Sequence, residues 1–238
     1  MTEWFEEWFG EEYLQLYPHR DAAEAERAVG LILSRTGYSP GWRVLDVACG
    51  AGRHARAFES AGARCTGLDL SASLLRVART ITGAPLVRAD MRELPVRPGS
   101  MDLTVNLFTS FGYFERDVEH TAALHEMVAT LRPQGWFVID FLNPPAVRAR
   151  LVPRETQRVN GTEVMVARSV SPDGRYVCKT ITTAAGRRFT ERVRLFGAQE
   201  IATMLAAAGV RVQERLGDYD ASPLGPDSPR TILFGQRA

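Results

Sequence analysis

Residues 44–55 read VLDVACGAGRHA: an apolar run, then Gly50, Gly52 and Ala55 in the spacing Gly-x-Gly-x-x-Ala. A strand that turns on glycines into a helix aims backbone N–H groups at a ligand, and this spacing is the usual fingerprint of a dinucleotide-binding unit. Asp46 departs from that reading. It stands inside the strand, just ahead of the turn, where its carboxylate faces the turn's ligand. Beside a pyrophosphate it adds repulsion; beside an ammonium or sulfonium it is favourable.

On both sides of this bend, strands and helices alternate. Asp21 is placed to cap a helix over residues 22–35, which Gly37 and Pro40 end. RVLDVAC is a buried strand followed by a helix over residues 53–60. ARCTGLDL is a second strand, with Ser71 capping the helix ASLLRVART. PLVRADM is a third strand and MDLTVNLF a fourth. A helix over residues 117–131, closed by RPQG, leads to the fifth strand, WFVIDFL. The rhythm and the Val, Ile and Leu content predict an α/β fold with a doubly wound parallel sheet.

The rhythm breaks after Pro153. Asn160-Gly161, SPDG and AAGR are turn signals, and TEVMVARS, RYVCKTITT and RFTERVRL between them read as an antiparallel meander. Helix and strand then resume with AQEIATMLAAAG, VRVQERL and RTILFGQR. Near the N-terminus WFEEWF sets aromatics on one face of a short helix. The expected organisation is a helical N-terminal cap over 1–40, a core of 41–153 and 196–238, and a β insertion over 154–195.

Composition bounds the function. The chain has 238 residues, 45% hydrophobic and 24% charged, with a formal net charge of +1. That fits one globular domain with an insertion and provides no overall field for nucleic acid or an anionic membrane. Cys49, Cys65 and Cys178 are too scattered for a disulfide framework or a zinc site, and no cluster of His and acidic residues suggests a metal. No cationic leader with an apolar core opens the chain, and no run of about 18 apolar residues occurs, so a cytoplasmic protein is expected.

Two further acids refine the ligand. Asp69 ends the second strand, at the separation where a carboxylate binds ribose hydroxyls. Asp90 and Met91 follow the third strand. An acid beside an apolar residue there suits adenine, the carboxylate accepting from the exocyclic amine and Met91 packing on the ring. An adenosine half and a cationic amino-acid half together describe S-adenosyl-L-methionine.

VLDVACGAGRHA, GLDLS, ADMRELP and DLTVNLFTSFGYF resemble, in order and spacing, the successive motifs of the class I S-adenosylmethionine-dependent methyltransferases over residues 44–141. The resemblance implies a Rossmann-like, seven-stranded sheet whose last strand is antiparallel; RTILFGQR can supply it. It implies that Gly50 and Gly52 pass under the methionine portion and that Asp46 helps hold its amino group. Asp69 would bind both ribose hydroxyls and Leu70 would line the adenine that Asp90 and Met91 hold. Asn106 and Leu107 would contact the methionine end. The meander is similar to the antiparallel lid of small-molecule members such as glycine N-methyltransferase and sugar-amine N,N-dimethyltransferases. The YPHR segment resembles their cofactor-closing N-terminal segment, which brings in Tyr17 and Arg20.

Ligands of open α/β sheets bind beyond the carboxyl ends of the strands. That rule selects NLFTSFGYF after strand four, where Phe111 and Tyr113 can wall a pocket. It also selects Asp140 at the end of strand five, and Asp218, Tyr219 and Asp220 in the long connection GDYDASPLGPDSPR. Methyl transfer is an in-line displacement with a good leaving group, so alignment and desolvation can supply most of the acceleration. Tyr113, Asp140 and Tyr219 are the candidate catalytic residues. His54 follows the bend as a structural or cofactor neighbour, while His120 and His125 read as ordinary helix residues. NPP after strand five is not the base-methylating motif, which belongs after strand four and ends in an aromatic. The expected acceptor is a small molecule offering nitrogen or oxygen. The alternatives are RNA, with Arg168, Arg175, Arg187, Arg188, Arg192 and Arg194 as its footprint, and nicotinamide-dependent oxidoreduction.

Overall fold

Two sheets organise the protein in a computed structural model that describes residues 3–16, 21–159 and 162–238. Tyr17, Arg20 and the Asn160-Gly161 turn lie outside the described residues. The N-terminal half runs α1 (Trp4–Trp8), α2 (Glu11–Leu16), α3 (Ala22–Thr36), β1 (Arg43–Val47), α4 (Arg53–Ser60), β2 (Arg64–Asp69), α5 (Ala72–Ile81), β3 (Leu86–Arg88), β4 (Met101–Asn106) and α6 (Asp117–Ala129). Then come β5 (Leu131–Leu142), α7 (Pro144–Arg150), β6 (Arg154–Val159), β7 (Thr162–Val170), β8 (Tyr176–Thr183), β9 (Arg188–Arg194), α8 (Ala198–Ala207), β10 (Val210–Leu216) and β11 (Arg230–Arg237).

The larger sheet has seven strands in the order β10-β11-β5-β4-β1-β2-β3. β11 runs antiparallel to both β5 and β10, and the other pairings are parallel. The strand order reverses between β1 and β4, and a crevice opens there at the carboxyl ends. Both faces are covered, which is why β1 is buried from Val44 to Val47. One face packs Leu45, Val47, Phe137 and Ile139 with Leu124, Met127, Ile201 and Leu205 of α6 and α8. The other packs Val44, Leu103, Val105 and Val138 with Val29, Ile32 and Phe58 of α3 and α4. Each such side chain, fully buried, contributes about 1.5–3 kcal/mol before entropy is counted. The helix caps follow the residues expected: Asp21 Oδ1 accepts from Ala23 N at 2.8 Å, Ser71 Oγ accepts from Leu74 N at 3.1 Å, and Gly37 ends α3 in the left-handed region at φ 65°.

Several boundaries differ from the sequence expectation. β3 is only three residues long because it is the sheet's edge, and Asp90 leaves the ladder to accept from Arg92 N at 2.8 Å. α6 stops at Ala129 rather than 131. Leu131 is drawn into the sheet opposite Met101, and RPQG lies inside β5, with Gln134 at φ 62°. The proline pair after strand five starts a helix, α7, that the residues did not suggest; Pro144 sits at its first position, where a missing N–H costs nothing.

β6 to β9 form a separate antiparallel sheet in sequential order, turning at Gly174 and Gly186 with φ 71° and 78°. It buries Val164, Val166 and Ile181 against Trp8 and Tyr13 of the N-terminal helices. That packing brings α1 and α2 over the carboxyl ends of the larger sheet.

Candidate active site

The bend after β1 is a left-handed excursion, with Ala48, Gly50 and Gly52 at φ 59°, 55° and 81°. Gly52 is needed twice over. Beyond its dihedral, a Cβ there would sit 3.0 Å from Ala78 Cβ and 3.1 Å from Thr82 Cγ2, where α4 begins against α5. Cys49 N donates to Leu68 O at 2.9 Å, and Gly50 N donates to Asp69 Oδ2 at 2.8 Å. Asp69 Oδ1 accepts from Ser71 N at 2.8 Å. The two strand ends are thus locked together through one carboxylate, 8% exposed, whose acidity burial lowers and these N–H donors partly restore.

Asp46 is 1% exposed, and its Oδ2 is buried without a hydrogen-bond partner. Burial, followed by the charge of Asp69, pushes its carboxyl up to about 7; the nearby Arg53 guanidinium and the Ala55 N–H act against that shift. A buried carboxylate oxygen with no donor fits a ligand that brings a cationic N–H, and it is unsuited to a diphosphate. The Cys49 and Cys65 thiols are pushed well up by burial and neighbouring carboxylates, so both stay protonated.

In front of the bend lies a cavity of about 440 Å³. Gly50, Asp69, Leu70, Asp90, Met91, Leu107 and Tyr113 all line it, together with Arg53, Ser71 and Ser110. Its far side is aromatic: Phe5, Phe9 and Tyr13 from the N-terminal helices, and Phe111 and Phe114 from the loop after β4. The Tyr113 ring packs on Trp4 and Phe9, with centroids 5.3 and 5.5 Å away, and its hydroxyl donates to Thr109 O at 2.6 Å. Hydrogen bonds tie the helices in place, among them Ser71 Oγ to Phe9 O at 2.5 Å, Trp4 Nε1 to Tyr113 O at 3.3 Å, and Trp8 Nε1 to Glu191 Oε1 at 2.8 Å.

The other sequence candidates, Asp46 and Gly52 of the bend among them, stand back from this wall. Asn106 is fully buried and donates from Nδ2 to Val47 O at 3.1 Å, while its Oδ1 has no partner. Asp140 is also fully buried. It accepts from Arg230 Nε and Nη2 at 2.7 and 2.8 Å, from the Tyr219 hydroxyl at 2.6 Å and from Phe108 N at 2.9 Å. Burial and the Asp140 charge raise the Tyr219 hydroxyl far above its usual range, so it stays a donor. Asp140 and Tyr219 therefore buttress the loop that carries Phe108 rather than face the cavity. Tyr219 lines a second recess of about 340 Å³ with Glu24, Arg27, Asp218, Asp220 and Arg230.

Two features of the site were not read from the residues. Arg53 reaches the cavity with its guanidinium 4.9 Å from the Phe108 ring centroid, and Arg230 lies on the same ring at 4.9 Å. The position of Arg53, directly after the second glycine, was the available signal. The roof of Phe5 and Phe9 was legible as an apolar helix face but not as a cavity wall. Among the described residues no group of His, Cys and acids is arranged to hold a metal, and no helix is long and apolar enough to cross a membrane. The arginines of the second sheet are largely engaged: Arg168 with Glu155, Arg175 with Asp117, Arg194 with Asp117 and Glu200, and Arg192 over the Tyr176 ring.

Comparison with known proteins adds to this geometry. Residues 44–135 match the family model described as a methyltransferase domain. The dTDP-3-amino-3,4,6-trideoxy-alpha-D-glucopyranose N,N-dimethyltransferase of Streptomyces venezuelae is 31% identical over 211 residues, covering 81% of this chain and 84% of the relative. CalS10, an amino pentose methyltransferase from Micromonospora echinaspora solved with S-adenosylmethionine bound, superposes with a TM-score of 0.68 at 25% identity, covering 93% of each chain. The CcbJ methyltransferase from Streptomyces caelestis shares the fold at a TM-score of 0.81 and 18% identity, over 97% of this chain and 98% of CcbJ.

Proposed function

This chain belongs to the class I S-adenosylmethionine-dependent methyltransferases of the small-molecule type, and we propose that its acceptor is an amine borne on a sugar-like molecule. The observation that carries this reading is the reach of the similarity to an aminosugar N,N-dimethyltransferase. A match over 81% of the chain cannot be confined to the core and takes in the second sheet, which packs behind the N-terminal helices that line the cavity.

When bound, the cofactor supplies a methyl group on a sulfonium. The residues that fit it are those of the bend. Asp46 Oδ2 would accept from the cofactor's ammonium, which answers a buried oxygen that otherwise lacks a donor. Asp69 would take the ribose hydroxyls on the lone pairs left after Gly50 N and Ser71 N are satisfied. Leu70, Asp90 and Met91 would hold the adenine, and Asn106 and Leu107 the methionine end; Tyr17 and Arg20 would close over it.

The roof gives the cavity an aromatic lining, and a site poor in water favours a displacement whose charge moves from sulfur to the acceptor. Tyr113 is the one of the three catalytic candidates on the cavity wall. Its hydroxyl donates to Thr109 O, which fixes the side chain on the wall where an acceptor would be aligned. Asp140 and Tyr219 act at a distance by holding Phe108. The arginine pairings of the second sheet favour this reading over RNA, since a polymer needs cations free to meet phosphates.

The test is turnover. The protein should transfer one or two methyl groups from S-adenosylmethionine to an aminosugar or its nucleotide-linked form, read by mass spectrometry. Methylation of hydroxyl acceptors alone would discard the amine, and turnover of RNA alone would discard the small molecule.

A further inference from the structure

Arg92 lies where three elements meet. Its Nε is 3.1 and 3.0 Å from the two oxygens of Asp90, and its Nη2 is 2.6 Å from Asp90 Oδ2. The other side of the guanidinium reaches Glu3, at the N-cap of α1, with Nη2 2.6 Å from Oε2 and Nη1 3.3 Å from Oε1. Nη1 also donates to Glu119 Oε1 on α6 at 3.0 Å. The plane lies over the Phe114 ring, 4.7 Å from its centroid, and Phe114 packs edge-on with Phe5 of α1 at 5.8 Å. One cation therefore joins the adenine-side carboxylate of the cleft, the start of the helix that roofs it, and the helix after β4.

The charges around this joint do not balance. Glu3, Asp90 and Glu119 converge on Arg92, and among the described residues only Arg116 assists, 3.3 Å from Glu119. Asp90 has little acceptor capacity to spare, because Oδ1 also takes Arg92 N at 2.8 Å. An adenine amine arriving at Asp90 must share it with the guanidinium, whose remaining partner on the roof is Glu3. The side chains of Arg92, Glu3 and Asp90 are 25%, 29% and 27% exposed, so the joint is neither sealed nor fully screened by water.

We propose that Arg92 is a positioning residue that couples the cofactor cleft to its roof: it orients Asp90 for the adenine and, through Glu3, fastens α1 over the bound cofactor. Opening of the roof then requires the Arg92–Glu3 contact to break, and that step governs how fast the cofactor leaves. The inference rests on the assignment of the cofactor to this cleft.

The experiment is the dissociation rate of S-adenosylhomocysteine, followed by stopped-flow displacement on full-length protein, with protease sensitivity of the N-terminal helices in its absence as an independent readout. Glu3→Gln should raise the off-rate roughly fivefold, the factor that corresponds to about 1 kcal/mol, and leave the on-rate unchanged. Arg92→Gln should raise it further and expose the helices to protease, because three carboxylates then face one another. The decisive sign is in the double variant: with Arg92 already replaced, Glu3→Gln removes a like charge and should slow dissociation. An off-rate indifferent to Glu3→Gln in both backgrounds, or effects that simply add, would overturn the coupling while leaving the cofactor site intact. If S-adenosylhomocysteine fails to bind the unaltered protein, the site assignment falls first and the coupling with it.

Discussion

The floor and the roof of the cavity are built by different physics. The floor is made of strand ends and a glycine bend. Its polar contacts at the bend join the ends of neighbouring strands in register, β1 and β2, through Gly50, Asp69 and Ser71. The roof is made of two short helices whose own hydrogen bonds could not keep them folded in water. It holds through aromatic edges, long-range hydrogen bonds and an ion-pair joint. A floor of this kind is preorganised for a ligand that does not vary. A roof of this kind rests on contacts between distant segments and lacks the ladder that fixes the floor.

The contrast can be broken at its strongest point first. Asp140 anchors the floor's outer edge, and Asp140→Ala leaves Arg230 buried without its partner. The fold should lose about 3–5 kcal/mol, read from urea unfolding. A loss under about 1 kcal/mol would mean that Arg230 finds Glu24, 3.9 Å away, or water instead.

Next, Asp69→Ala should weaken S-adenosylhomocysteine binding by about 1.5–3 kcal/mol through the loss of charge-assisted bonds, measured by calorimetry. An unchanged affinity would remove the cofactor from this strand end.

The third effect depends on pH. Asp46 has its carboxyl raised to about 7 in the ligand-free fold, from 3.8. Its ionisation therefore destabilises that fold: stability from this group is fully present below about pH 4 and is lost as pH rises through 7. Binding a cationic ligand needs the ionised form, so cofactor affinity should fall up to about tenfold per pH unit below 7 and level off above it. Asp46→Asn should flatten the profile, weaken binding and stabilise the free protein above pH 7. A pH-independent affinity in the native protein would detach Asp46 from the ligand.

The smallest expected effect belongs to the roof's neighbour. Tyr113→Phe should lower kcat by about 0.5–1.5 kcal/mol, up to roughly tenfold, if the hydroxyl only aims the acceptor. A drop on the order of a hundredfold or more, with a matching change in the pH–rate profile, would make it a general base.

What could be read from the residues follows the same division. The bend, Asp69, Ser71 as a cap and the β11 closure were all legible, because each depends on a pattern within a few residues or on a strand's period. So was Asp46 as an acid inside a buried strand. Asp140 was legible as a costly buried acid, but its partner lies ninety positions away, and no local pattern carries such a distance. The end of α6 was misplaced because Leu131 is apolar enough for either a helix or a strand, and only its seat opposite Met101 settles the matter.

The amino-acid sequence by itself determined the alternating fold, the place of the glycine bend and the carboxylate of Asp46 that stands beside it. These follow from backbone conformational limits, hydrophobic period and the chemistry of single side chains. The tertiary structure alone decided which aromatics wall the cavity, that Asp140 and Tyr219 hold a loop rather than line that cavity, and that Arg92 joins Asp90 to Glu3. Those outcomes depend on chain segments meeting across the fold, and packing energy, not local propensity, selects the meeting.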